Sequence, residues 1–214
     1  MSRRPVMLLI LLLLSSSTVL PALAEDAPAT APKPEVLTGL PTAGPEPVDA
    51  KPDPGQFFTA VRIGDILRVQ AALEKGFDVN SADDTGMTAL HLAARRGRPD
   101  MISLLLNSGA EVNKTDGTGL TPLSHAVLAG SKELVELLLV KGADLKIADA
   151  KGWLPLHHAA KLGNRELVEL LIARGTDATS TTTDGSTAFS IAGAAGHSKL
   201  AESLNPEKLQ KTTP

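Results

Sequence analysis

The histidines are the residues of this chain best suited to chemistry, because imidazole is both a common metal ligand and a common proton carrier. The spacing of the five histidines argues against a shared site. His157 and His158 are adjacent, so on a helix their side chains diverge by about 100°. His125 and His158 are 33 residues apart, at equivalent places of an internal repeat. Stacked helices place such residues roughly 10 Å apart, whereas zinc ligands bind at about 2 Å. The sequence predicts no metal ion and no cofactor.

Nucleophilic and acid–base chemistry also lack the residues they need. The chain has no cysteine, no phosphate-binding loop and no HExxH pattern. Glu133 and Glu136, like Glu166 and Glu169, stand at helical spacing with lysine or arginine nearby. This pattern is typical of a solvated helix face. We therefore predict that the protein is not an enzyme.

The elements that carry these residues repeat with a period of 33 residues. Three glycine series keep this period: Gly64, Gly97, Gly130, Gly163 and Gly196; Gly76, Gly109, Gly142 and Gly175; Gly86, Gly119, Gly152 and Gly185. An internal period of this length predicts a stacked repeat architecture. We place five copies, at residues 56–82, 83–115, 116–148, 149–181 and 182–204.

Each copy is predicted to consist of a tight turn and two antiparallel helices. Gly86 lies in the turn, where a residue without a Cβ can adopt a positive φ. Thr88 follows as the N-cap of a first helix, and a second helix runs from about Pro99 to Asn107. Neither helix can bury its apolar side alone, so the copies must stack into an all-α solenoid.

These residues closely resemble the ankyrin repeat. Residues 86–94 (GMTALHLAA) and 119–123 (GLTPL) are similar to its turn and first helix (G-x-T-P-L-H-x-A-A), and residues 104–113 (LLLNSGAEVN) to the end of its second helix. The resemblance covers residues 56–204. It implies helix-turn-helix units joined by short β-hairpin connections, a concave face of hairpin tips and first helices, and a protein-binding function. It also implies that His91 and His157 are structural and bond to backbone in the adjacent hairpin.

Three copies depart from the pattern. The first copy lacks a recognisable hairpin and is expected to serve as the N-terminal cap. In the fourth copy Leu154 replaces the capping threonine, and the sequence offers no compensating partner. In the fifth copy Thr182 replaces the aspartate that opens earlier turns, and the second helix is thin. We expect this copy to be a weakly packed C-terminal cap.

The concave face implied by the resemblance is where a partner protein would bind. The position after the turn glycine holds Met87, Leu120, Trp153 and Ser186 in successive copies. The first three would form an apolar ladder centred on the single tryptophan, a residue type that often dominates interface energetics. Alternatively, these side chains pack tip against tip and only stabilise the hairpins.

Cationic and apolar residues extend the predicted site along the ends of the first helices. They are Arg95, Arg96, Leu128, Lys161 and Leu162, with Lys151 in a turn. Such a strip would suit a partner segment with acidic and apolar residues. The alternative is that the cations near helix ends interact only with the helix dipole.

The N-terminal 24 residues resemble a cleavable signal peptide. Arg3 and Arg4 precede an apolar run at 6–14, and Ala24 ends a small-residue cleavage pattern. The run is short for a membrane span, which needs about 20 apolar residues, although an uncleaved anchor is the alternative. Residues 25–55 are predicted to be a proline-rich disordered linker, and residues 205–214 a C-terminal tail.

The remaining chain would be mildly acidic, because residues 1–24 hold two cations and no acid of a chain with net charge −3. This charge argues against nucleic acid as a partner. We predict a monomeric protein-interaction module in the periplasm or outside the cell, of the kind that bacterial periplasmic ankyrin proteins resemble. Two alternatives remain: an accessory or protective factor for one exported enzyme, such as an oxidative-stress enzyme, or a secreted effector that binds a host protein.

Overall fold

A computed structural model describes residues 53–209, so the predicted signal peptide and nearly all of the predicted linker lie outside the described residues. Within this range the chain folds into eleven helices: α1 (Pro54–Ile63), α2 (Ile66–Glu74), α3 (Ala89–Arg95), α4 (Pro99–Asn107), α5 (Pro122–Leu128), α6 (Lys132–Val140), α7 (Pro155–Leu162), α8 (Arg165–Ala173), α9 (Ala188–Ala194), α10 (Ser198–Ser203) and α11 (Pro206–Leu209). The first ten helices form five consecutive pairs. The prediction of an all-α solenoid is confirmed.

The first helices of the pairs stack in chain order and form a buried layer. Helix α3 contacts α1 and α5, and α7 contacts α5 and α9, while each second helix packs against the first helix of its own pair. Every residue from Ala89 to Ala94 of α3 and from Pro122 to Val127 of α5 is buried. The apolar columns of the sequence therefore face one another across neighbouring copies.

The connections before the first helices are tight turns with very little β-structure. In the second copy the Asp83 N–H donates to the Met87 carbonyl at 2.9 Å. Isolated β-bridges join Ala82 to Thr88 and Thr181 to Thr187. Within the described part of the chain, the predicted β-hairpin connections are thus reduced to a turn closed by one or two hydrogen bonds.

Helix starts follow the capping residues of the sequence, with one exception in the fourth copy. The Thr121 hydroxyl accepts the Ser124 N–H at 3.2 Å, and Pro122 occupies the first helical position of α5. In the fourth copy Leu154 has no side-chain oxygen to offer. There the His157 N–H, which a threonine hydroxyl would accept, donates to the Leu154 carbonyl at 2.9 Å. The Leu154 N–H donates to the Nδ1 atom of His157 at 3.0 Å, the same bond that Thr88 makes to His91 in the second copy.

The two ends of the stack are closed differently. At the N-terminal end, Phe57 stacks on Phe77 with ring centroids 4.0 Å apart, and α1 begins at Pro54, two residues before the predicted start of the repeats. At the C-terminal end Leu204 is fully buried, but Phe189 is 37% exposed. The weak packing expected of the fifth copy is found at Phe189 rather than in its second helix. Residues 206–209, predicted to belong to the tail, form one helical turn.

Asparagines clamp neighbouring loops at two of the junctions between copies. Asn80 donates to the Gly109 carbonyl at 3.1 Å and accepts the Glu111 N–H at 2.8 Å. Asn113 makes the same pair of bonds, to Gly142 and Asp144. Lys146 occupies the equivalent position of the next copy, and its side chain forms no such clamp within the described residues.

Replacing this lysine is expected to stabilise the protein. Lys146→Asn supplies a donor and an acceptor to the following loop, and each net hydrogen bond contributes about 1 kcal/mol. We expect the free energy of unfolding in urea to rise by about 1 kcal/mol. Lys146→Ala removes the lysine without adding the amide and serves as the control. Equal stability of the two variants would show that the clamp does not form at this junction.

Candidate partner-binding site

Each turn of the central copies is built around one aspartate. The Oδ1 atom of Asp116 accepts the N–H groups of Thr118 and Leu120 at 2.8 and 3.0 Å, and its Oδ2 atom bonds His125 Nε2 at 2.8 Å. Asp149 repeats this arrangement one copy later. The carboxylate holds the backbone N–H of the residue after the turn glycine, so it fixes the position of Leu120 or Trp153.

Electrostatics explain why these aspartates are structural. Burial raises the pKa of Asp116, but hydrogen bonds from His125, Thr118 and Leu120 outweigh burial and hold the pKa below its ordinary value. For His158, burial lowers the pKa, and the facing Asp149 only partly offsets this. Each His–Asp pair is formed within its own copy, through the Nε2 atom of the histidine. Among residues 53–209 no group of three His, Cys, Asp or Glu residues is arranged to hold a metal ion.

The two histidines of the repeat signature connect backbone segments, as the resemblance implies. His91 accepts the Thr88 N–H at Nδ1 (3.1 Å), so its Nε2–H donates to the Leu120 carbonyl of the next copy (3.1 Å). His157 bonds the Ser180 carbonyl at 3.0 Å, directly before the next turn. These side chains are buried and offer nothing to a ligand.

The residue after each turn glycine lies against the first helix of its own copy, eight positions further along. Arg95 Nη1 is 3.6 Å from the Met87 sulfur. Lys161 Nζ lies 5.3 Å from the centroid of the Trp153 ring, and His158 is tilted against that ring at 5.2 Å. Leu120 and Leu128 occupy the same two positions in the copy between them. Turn tips and helix ends therefore form one surface.

The structure corrects the predicted apolar ladder at Met87. This side chain is only 6% exposed beside Arg95, so it packs within the tip and is not presented to a partner. Leu120 and Trp153 are half-buried and keep an accessible part. For Met87 the alternative of tip packing is the one that fits.

Exposed aliphatic side chains continue the surface at the ends of the first helices. Leu128 is 39% exposed and Leu162 is 45% exposed, as expected of binding residues. Ile63 is 58% exposed and occupies the same column as Leu162, but it was not among the predicted site residues. Its column position was the signal that could have identified it.

The predicted cations Arg95, Arg96, Lys151 and Lys161 are all exposed. Within the described residues none of them pairs with a carboxylate, whereas Arg68 and Arg165 on second helices pair with Asp65 and Glu169. Arg95 and Lys161 lie in the last turns of α3 and α7, which agrees with the helix-dipole interpretation. The dipole does not account for Lys151, which lies in a turn, or for the exposed leucines.

We call this surface the inner strip; it comprises Ile63, Arg95, Arg96, Leu120, Leu128, Lys151, Trp153, Lys161 and Leu162. It brings together eight of the nine predicted site residues and leaves out Met87. No helix in the 53–209 range is long and apolar enough to traverse a bilayer.

The similarity of this chain to known proteins lies in its repeats. A family model described as ankyrin repeats (3 copies) matches residues 57–149 and 123–213, which together make up more than half of the chain. The chain is also 44% identical over 68 residues to a mouse (Mus musculus) protein named 2-5A-dependent ribonuclease. That alignment covers 31% of this chain and 9% of the relative. The chain therefore spans less than a tenth of the length of this relative.

Proposed function

Because the chain belongs to the ankyrin-repeat family, a family of non-enzymatic protein-interaction modules, we propose that it binds one partner protein through the inner strip. The strip corresponds to the concave face of an ankyrin stack. We also propose that binding takes place in the periplasm or outside the cell. The apolar run and the small-residue cleavage pattern within residues 1–24 support export.

Trp153 is the observation that carries this proposal. The ring is half-buried between His158 and Lys161, and its indole Nε1–H has no acceptor within the described residues. Packing alone does not require a tryptophan here, since leucine fills the equivalent position of the preceding copy. A large, partly exposed ring with an unused donor is typical of an interface anchor.

The neighbours of Trp153 support the same function. Lys161 lies over the ring, and the same copy also presents the exposed side chains of Lys151 and Leu162. These cations have no acidic partner within the described residues, so they do not stabilise the fold through ion pairs. A partner that supplies carboxylates and apolar groups would use both features.

Trp153→Ala is expected to weaken partner binding at least about tenfold, because truncating an anchor costs about 2 kcal/mol or more. The partner is first recovered by affinity capture from the native exported fraction with the wild-type chain. Its affinity for the purified wild type and variant is then measured by calorimetry. Circular dichroism and urea unfolding check that the variant is folded.

Two controls make this result specific. Trp153→Leu restores the residue found in the preceding copy and should preserve the fold while it weakens binding. Leu67→Ala removes a side chain that is 79% exposed on α2, outside the inner strip, and should leave affinity unchanged. If the Trp153→Ala variant binds as tightly as the wild type, the binding face lies elsewhere. The nature of the captured protein, an exported enzyme or a host protein, separates an accessory factor from an effector.

A further inference from the structure

We propose that the partner segment on the inner strip is an extended acidic–aliphatic peptide. In this peptide two carboxylate residues lie five or six positions apart, with an aliphatic residue near the midpoint. The inference rests on the proposed function and specifies the chemistry of its ligand.

The charge along the inner strip changes from copy to copy. The second copy contributes Arg95 and Arg96, and the fourth contributes Lys151 and Lys161. The third copy, between them, presents the half-buried Leu120 and the exposed Leu128. A ligand that matches this order is acidic at both ends and aliphatic in the middle.

The protein's own carboxylates do not neutralise the cations of the inner strip. Asp116 and Asp149 are turned into their turns, where each is bonded by backbone N–H groups and a histidine. Asp84 is the exposed carboxylate of the turn at one end, where Arg62, Arg95 and Arg96 outnumber it. Asp184 is the exposed carboxylate of the turn beside Lys151 at the other end, where Lys151 and Lys161 outnumber it. The accessible charge of the strip is therefore mainly positive.

Each cationic end has donors that suit a carboxylate. The planar guanidinium group of a single arginine, Arg95 or Arg96, can bind a carboxylate in a bidentate manner. At the other end, Lys161 Nζ lies over the Trp153 ring, whose Nε1–H is an unused donor. A carboxylate placed there accepts from both groups while an apolar side chain of the ligand covers the remaining ring surface.

The spacing of the two acidic residues follows from the stack. Helix α5 contacts both α3 and α7, so the two cationic ends are separated by two helix-to-helix steps. Packed helices lie about 8–10 Å apart, which gives about 16–20 Å. An extended chain advances about 3.3 Å per residue, so five or six residues span this distance. The aliphatic residue then lies opposite Leu128.

A display selection tests both the chemistry and the register. A phage library of random 12-residue peptides is selected against the full exported chain and, in parallel, against two charge-reversal variants. The wild type should enrich peptides with two acidic residues five or six apart around Leu, Ile or Val. The double variant Arg95→Glu, Arg96→Glu should lose the preference for one of these acids, and Lys161→Glu should lose the preference for the other. Each reversal should weaken binding of the selected peptide about tenfold.

Matched controls separate a local effect from net charge and from misfolding. Lys132→Glu changes the net charge by the same amount as Lys161→Glu, at the start of α6, where an acidic residue is favoured by the helix dipole. This control should select the same peptides as the wild type. The neutral variant Arg95→Gln, Arg96→Gln covers the case in which the reversals at the end of α3 impair folding. It should also lose the preference for one acid.

Several outcomes would overturn the acidic–aliphatic ligand. They are no enrichment above the uncoated surface, enriched peptides without the acidic pair, an acidic preference that survives both reversals, and equal competition by a single-stranded oligonucleotide. If a captured partner depends on Trp153 but the selection fails, only the ligand chemistry is wrong. If the captured partner does not depend on Trp153 either, the proposed function fails with it.

Discussion

Gly119→Ala is expected to lower the free energy of unfolding by about 3 kcal/mol, whereas Gly185→Ala should cost only about 1 kcal/mol. The two glycines occupy the same turn position in different copies, with φ of +84° and +79°. The backbone strain of an alanine is therefore nearly equal at both sites, at about 1–2 kcal/mol. The two sites differ in whether the turn of a following copy packs against the glycine.

A neighbouring turn packs closely on Gly119. A Cβ at this position would lie 2.8 Å from the backbone nitrogen of Ala150, whereas a Cβ on Gly185 would meet nothing within 4 Å. Ala150 belongs to the turn of the fourth copy, and its N–H donates to the Thr118 carbonyl at 3.1 Å. Moving this backbone weakens the hydrogen bond and overpacks the junction, at a further cost of about 1–3 kcal/mol.

Urea unfolding of the two variants beside the wild type measures the difference. If both variants lose a similar free energy of unfolding, the contact between turns contributes little to stability, and backbone strain alone accounts for the loss. The same junction bears on function, because the displaced turn contains Trp153. A folded Gly119→Ala variant should therefore also bind the captured partner more weakly, while Gly185→Ala should not.

The fold was predictable because its signals repeat. The glycine columns, Thr121-Pro122 and the apolar faces occur once per copy, so each copy supports the same interpretation. Second helix α4 begins at Pro99 and ends at Asn107, as the sequence predicts. These are local rules of capping and periodicity, and they need no knowledge of what lies in the next copy.

The site was less predictable because exposure depends on partners distant in sequence. Met87 and Trp153 share one column, yet Met87 is buried beside Arg95 while Trp153 is half-buried beneath Lys161. The column fixes where the Cα lies, but not how much of the side chain its neighbours in the fold cover. For the same reason the sequence did not reveal the His125–Asp116 pair, whose members are nine residues apart but meet across the turn.

Acidification from pH 6.5 to 4 is expected to destabilise the domain, and His91 should account for about 3 kcal/mol of this loss. Burial and, as a smaller cause, the nearby His125 together lower the pKa of His91 to about 4. The unfolded chain has a histidine pKa near 6.5 and therefore binds this proton first. Between these two values the unfolded state holds more protons, so the free energy of unfolding falls as the pH falls.

The hydrogen bonds of His91 also favour its neutral form. Its Nδ1 atom accepts the Thr88 N–H and lies 2.8 Å from the Thr88 hydroxyl. Protonation of Nδ1 removes the acceptor and places a charge in a side chain with no exposed surface. The partly buried His158, whose pKa is also lowered, acts in the same direction. Asp116, whose pKa is lowered, adds only a small loss of stability near the acidic end of this window, because its stabilisation is lost as the pH falls through its ordinary pKa.

His91→Gln separates this histidine from the other titrating groups. A glutamine three residues after Thr88 forms a capping box and can accept the Thr88 N–H without titrating. The variant is expected to be less stable than the wild type at pH 7, because the bond to the Leu120 carbonyl depends on the imidazole. Its stability should nevertheless change much less between pH 6.5 and 4 when urea unfolding is followed at several pH values. If the two proteins lose stability in parallel, His91 is protonated without disrupting the fold, and the acid sensitivity comes from other groups, such as His158 and the carboxyl groups whose pKa is lowered.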